Sequence, residues 1–139
     1  MAGYSGTPLA KKLGIKERFR VGLVHSLEGF EKELGVLPPE AEIVRRLKKP
    51  LDLILLFAKS GAVLKNDFEK LTEMLAPDGM IWVAWPKKSS GVATDLSFDI
   101  VQKVGLNAGL VDVKICAVND IWSGLRFVYR LKDRPHMAR

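Results

Sequence analysis

The chain has one cysteine, Cys116, and two histidines, His25 and His136, in 139 residues. A single thiol excludes an internal disulfide and any Cys-rich zinc site. The histidines lack metal-ligand spacing, so no metal centre is expected. Cys116 sits in an apolar run and is expected to be a buried, inert thiol. Long hydrophobic runs are also missing. The longest, Leu53 to Ala58, is far too short to cross a bilayer. Gly, Ser, Pro and Lys precede any apolar stretch, which is unlike a secretory signal, so the expected location is the cytoplasm, away from membranes. Internal repeats and low-complexity segments are absent.

What is present is an ordinary soluble composition, 47% hydrophobic and 27% charged. The length suits one domain over residues 1–139, with a loose arm at 1–8 and a basic tail at 132–139. Net charge is +6. The cations fall in three groups: Lys11, Lys12, Lys16, Arg18 and Arg20; Arg45, Arg46, Lys48 and Lys49; and Arg126, Arg130, Lys132, Arg134 and Arg139. That excess favours anionic partners. Nucleic acid or phosphate is one reading, and a solvated surface without a nucleic-acid motif is the other.

The pattern predicts alternating elements. Leu9 to Leu13 forms a helical turn closed by Gly14, and Arg20 to His25 a strand. Leu27 to Leu34 has apolar residues at helical spacing, ending at Gly35. Glu42 to Leu47 is a short strand. Leu51 to Ala58 is a near-continuous apolar run, interrupted only by Asp52, as in a strand covered on both faces. Val63 to Leu75 is an amphipathic helix, Pro77-Asp78-Gly79 a turn, and Met80 to Trp85 another covered strand. Thr94 or Asp95 is expected to cap a helix reaching Ala108, with Phe98, Val101 and Val104 inward. Val111 to Val118 and Leu125 to Leu131 form a hairpin about Asn119 to Gly124. Trp82 and Trp85 are an odd distance apart and point to opposite faces. The expected fold is an α/β three-layer sandwich, mostly parallel with a C-terminal antiparallel hairpin.

Asp52-Leu-Ile-Leu-Leu, an amphipathic helix, and Leu75-Ala-Pro-Asp-Gly-Met-Ile-Trp-Val83 resemble the back half of class I S-adenosylmethionine-dependent methyltransferases. Three further runs, Tyr4 to Ile15, Trp85 to Asp95 and Asp120 to Leu125, resemble a small bacterial group, domain-of-unknown-function family 3052. The resemblance implies a Rossmann-like, methyltransferase-type sheet.

Against that pattern the cofactor side is depleted. The turn after the first strand, His25-Ser-Leu-Glu-Gly-Phe30, holds only Gly29, where a Gly-rich turn would admit the cofactor. Val44-Arg-Arg-Leu47 has no acid for the ribose hydroxyls. Only Lys48-Lys-Pro50 separates the second and third strands. Six extended residues reach about 20 Å, whereas a parallel crossover normally takes a dozen residues or more. The Glu42 strand is therefore very short or antiparallel, and one βα unit is missing. No cofactor is expected, although the fold makes S-adenosylmethionine the one to test.

Ligands of such sheets bind outside the carboxyl ends of the strands. The positions there are His25-Ser26, Lys59-Ser60, Pro86 to Gly91, and Asn119 to Gly124. Lys87, Lys88, Ser89, Ser90 and Gly91 combine cations, hydroxyls and a route to a helix N-terminus, which suits an anion; a solvated loop is the alternative. His25 is the candidate general base, or a structural histidine. Asp120 and Trp122 belong to the hairpin, Trp122 as a stacking surface or as a tip folded onto the sheet edge. These residues predict a non-catalytic domain binding an anionic small molecule or a protein partner. A minimal methyltransferase and a basic nucleic-acid-binding module are the alternatives.

Overall fold

The computed structural model describes residues 7–136. The arm at 1–8 lies mostly outside the described residues, as does the end of the tail. Leu131–His136 is a short 3-10 segment.

Six strands form one sheet, in the order β2-β1-β3-β4-β6-β5. They are β1 (Arg20–Val24), β2 (Glu42–Ile43), β3 (Leu51–Phe57), β4 (Leu75–Pro86), β5 (Leu110–Ala117) and β6 (Trp122–Tyr129). β1 pairs parallel with β2 and β3, and β3 with β4; β6 runs antiparallel between β4 and β5. The helices are α1 (Leu9–Leu13), α2 (Phe30–Leu34), α3 (Gly61–Thr72) and α4 (Phe98–Asn107).

The two faces carry separate cores. One gathers Ile54, Leu56, Leu64, Phe68, Val83, Trp85, Val101 and Phe127 under α3 and α4. The other gathers Leu13, Val21, Phe30, Leu55, Phe57, Trp82 and Trp122 under α1 and α2. Trp82 and Trp85 thus point to opposite faces, as alternation along one strand requires. Trp82 is fully buried, and its indole N–H donates to the Leu13 carbonyl at 2.8 Å, tying α1 to the sheet. The Tyr129 hydroxyl donates to the Thr72 carbonyl at 2.6 Å, fastening β6 to the end of α3.

The missing βα unit shows in the link between β2 and β3. β2 is parallel to β1 but only two residues long, with Arg20 opposite Glu42 and Val21 opposite Ile43. The link then crosses β1 to reach β3 on its other side. A Cβ on Gly22 would stand 2.7 Å from the Leu47 side chain, so the bare backbone of Gly22 is what lets Leu47 lie across β1. Val44 and Leu47 pack on the α3/α4 core, covering sheet where a helix would otherwise sit. The strand expected over 42–47 is therefore mostly this crossover. Arg45 anchors it, donating to both carboxylate oxygens of Glu31 on α2 at 2.7 and 2.9 Å. That bidentate pair holds the Glu31 carboxyl below its usual range.

Other boundaries differ from the expected ones. The helix after β1 begins at Phe30; residues 27–29 form a turn ending at Gly29, which has φ 77°. Pro77-Asp78-Gly79 does not precede β4 but bulges within it. Leu51 pairs with Leu75 and Leu53 already with Met80, and the Gly79 Cα lies so close to the β3 backbone that a Cβ would meet the Leu51 carbonyl at 2.9 Å. Ser97, rather than Thr94 or Asp95, caps α4, its hydroxyl accepting from the Ile100 N–H. Phe98 consequently sits at the exposed start of the helix, at 36% exposure, while Val101 is fully buried. The hairpin tip shortens to residues 118–121, placing Trp122 and Gly124 in β6. Cys116, on the edge strand, is only partly buried. β5 also carries a bulge at Val113, since its register with β6 shifts between Asp112 and Lys114.

Candidate ligand-binding edge of the sheet

The carboxyl ends of β1, β3 and β4 meet the start of β6 along one edge. The Ala58 N–H donates to Ala84 across β3 and β4, and Pro86 pairs with Trp122. An open depression of about 340 Å³ lies there, lined by His25, Leu27, Phe57, Ala58, Lys59, Val63 and Trp122. Its walls are mainly apolar, with a histidine and a lysine at the rim.

The floor is an aromatic stack. Phe30 meets Phe57 edge-on at 5.0 Å, and Phe57 meets Trp122 edge-on at 5.3 Å. Such T-shaped contacts add to the burial of the rings and fix their orientation. Trp122, at 5% exposure, is a packed wall rather than an open stacking platform. Asn119 secures it: its side-chain oxygen accepts from the Ile121 and Trp122 N–H groups at 2.9 Å each. Its amide donates to Glu33 on α2 at 3.1 Å, closing the hairpin tip against that helix.

His25 leaves β1 with φ 54°, a left-handed conformation that a side chain rarely adopts. Its Nε2 lies 2.9 Å from Asp67 Oδ2 on α3, so the carboxylate orients the ring. His25 stays 55% exposed by side chain. The Ser26 hydroxyl turns to the adjacent Leu27 carbonyl.

Lys87 to Gly91 leaves the same edge but does not line the depression. Its backbone is tied down locally. The Lys87 N–H donates to Ile121, and the Ser90 hydroxyl donates to the Lys87 carbonyl at 2.6 Å and accepts from the Val92 N–H at 3.1 Å. Lys88 and Ser89 are exposed, and Asp120 is exposed at the hairpin tip. The N-terminus of α3 lies at this edge and already has acceptors. The Ser60 hydroxyl accepts from the Val63 N–H, and the Asp95 carboxylate accepts from the Gly61 N–H at 2.8 Å. Asp95 therefore caps α3 across 34 residues rather than opening α4.

Of the expected site residues the fold brings His25 and Trp122 into the depression, while Ser26, Lys87 to Gly91 and Asp120 do not line it. Sequence reasoning missed Leu27, Phe57 and Val63 as walls, Asp67 as the partner of His25, and Asn119 as the clasp. The one available signal was position: Phe57 and Ala58 end a covered strand, where a sheet of this kind binds ligands.

Several S-adenosylmethionine-dependent methyltransferases of known structure share this architecture. A SAM dependent methyltransferase from Aquifex aeolicus is 15% identical, with 86% of each chain covered and a TM-score of 0.61. A precorrin-6y C5,15-methyltransferase from Geobacter metallireducens is 8% identical over 88% of this chain and 86% of its own, with TM-score 0.62. Fibrillarin from Aeropyrum pernix, with natively bound S-adenosyl-L-methionine, is 13% identical over 91% and 70%, with TM-score 0.59. At such identities the likeness defines the fold, a class I methyltransferase type. No protein-family model and no curated protein matches the chain. Among the described residues, no helix is long and apolar enough to cross a membrane, and no cluster of three or more His, Cys, Asp or Glu could hold a metal.

Proposed function

We propose that this chain is a non-catalytic methyltransferase-type domain that binds an anionic small molecule with an apolar body at the carboxyl edge of its sheet. The observation that carries this reading is the lining of the depression. Leu27, Phe57, Ala58, Val63 and Trp122 offer apolar walls, and Lys59 and His25 offer positive or hydrogen-bonding groups at the rim. The narrower membership in domain-of-unknown-function family 3052 rests on the three sequence runs quoted above.

The same residues do not fit S-adenosylmethionine. Its sulfonium and ribose hydroxyls call for acidic acceptors, yet no carboxylate lines the depression, and Asp67 is engaged by His25. The exit from β1 carries the His25 side chain where the backbone would need to be bare, and Arg45 beyond β2 is committed to Glu31. A minimal methyltransferase is the second reading, supported by the bound cofactor of the fibrillarin neighbour.

A thermal-shift screen with aryl carboxylates, nucleotides, sugar phosphates and S-adenosylmethionine separates the two, because a ligand that binds the native state raises the melting temperature. The expected result is stabilisation by an aryl carboxylate, abolished by Val63→Glu on the exposed wall. Tight S-adenosylmethionine binding in calorimetry would overturn the proposal in favour of the enzyme.

A further inference from the structure

Most cations that form groups in the sequence find carboxylates in the fold or face open water. Arg18 lies 3.7 Å from Glu40, Arg20 lies 3.8 Å from Glu42, and Arg45 clasps Glu31. A different set converges on the face of β5 and β6 beneath α1. Lys114 and Arg126 are cross-strand neighbours. The Lys114 ammonium donates to the Lys12 carbonyl at the end of α1, 3.3 Å away. The Arg126 guanidinium lies over the Trp82 ring at 5.8 Å, and its Nε is buried without a hydrogen-bond acceptor. Lys12, Lys114 and Arg126 form no ion pair among the described residues. Burial raises the pKa of the Cys116 thiol on β5, and Lys12, Lys114 and Arg126 oppose that rise.

Three cations gathered without a counter-charge repel one another and cost stability unless an anion joins them. A guanidinium carries a planar fork of N–H donors, the geometry that matches phosphate oxygens. We propose that Lys12, Lys114 and Arg126 form a phosphate-binding site on this face. It is separate from the carboxyl edge: Trp82, opposite Arg126, lies four residues along β4 from Pro86, or about 13 Å. Lys114 and Arg126 at paired positions, with Lys12 at the end of α1 above them, suit a single phosphate group, whether on a small molecule or within a nucleic-acid strand.

Cys116 is the natural reporter, since it is the sole thiol of the chain. Burial pushes its pKa up, and Lys12, Lys114 and Arg126 pull against that rise. An anion seated among the three cations cancels their pull and covers the sulfur. Alkylation by neutral iodoacetamide, read by mass, should therefore slow about threefold or more in pyrophosphate relative to chloride at equal ionic strength. Lys114→Gln, at an exposed position, should abolish the slowing without disturbing the fold, and Arg126→Gln should do the same. An unchanged rate in pyrophosphate, or equal slowing in Lys114→Gln, would overturn the site. Short single-stranded RNA provides the second arm. Slowing at far lower concentration than pyrophosphate, and steeply salt-dependent, assigns the phosphate to a nucleic acid; no advantage over pyrophosphate assigns it to a small molecule.

Discussion

Gly105 lies in the last turns of α4, where the sequence alone recommends alanine. Glycine inside a helix is worse than alanine by about 1 kcal/mol, so Gly105→Ala should stabilise if propensity decided the outcome. The packing says otherwise. A Cβ at residue 105 would stand 2.0 Å from Cε1 and 2.4 Å from Cδ1 of Phe127. Phe127 is fully buried and meets the Phe68 ring edge-on at 5.5 Å, so it has no free direction in which to retreat. Overpacking of a rigid core costs about 1–3 kcal/mol, and an overlap this deep belongs at the upper end. The net expectation for Gly105→Ala is destabilisation by about 2 kcal/mol after the helix gain is subtracted. In urea unfolding this appears as a lower midpoint with an unchanged slope, and in a thermal scan as a drop of about 6–10 °C. Phe127→Leu should relieve the clash, so the double variant should lose about 1–2 kcal/mol less than the sum of the single ones. A Gly105→Ala variant as stable as the parent, or strictly additive changes, would refute the reasoning.

Two further outcomes follow from the buried contacts. Asn119→Ala removes the acceptor for the Ile121 and Trp122 N–H groups and the tie to Glu33, and should cost about 1–2 kcal/mol in urea unfolding, with Trp122 fluorescence shifting red; a loss below about 0.5 kcal/mol would contradict its role as clasp. Burial, with the charge of Glu73, raises the Tyr129 phenol above its ordinary pKa near 10.0, so the folded state holds that proton more tightly than the unfolded chain. Stability should therefore fall as pH rises from the ordinary value through the folded one, and Tyr129→Phe should flatten part of that fall in melts across alkaline pH.

The elements that could be read from the sequence are those whose burial is written locally. Leu51 to Phe57 and Met80 to Trp85 are covered on both faces, so nearly every residue is apolar. The Leu64, Phe68 and Leu71 stripe has the helical period because one face meets the sheet. The site was less legible because its links are long-range. His25 finds Asp67 across 42 residues, and Asn119 finds Glu33 across 86. Nothing in the neighbourhood of Asp67 distinguishes it from the other charges on α3. Asp95 has the same difficulty in reverse. A capping residue just before a helix points to that nearer helix, while the loop carries Asp95 back to α3.

The two ends of the sheet have a consequence for how the chain behaves in a crowded solution. An exposed strand edge is a row of unpaired N–H and C=O groups that can template another chain. Here one edge is β2, only two residues long, with its continuation turned away as the crossover. The other is β5, which breaks its regular spacing at Val113 and carries the Lys114 charge beside it. Val113 and Ile115 are about half exposed there, so the strand is apolar enough to be adhesive if it were straight. The bulge twists and interrupts the ladder that a second molecule would extend. Straightening β5 by deleting Val113 would thus be expected to raise the propensity of the chain to self-associate.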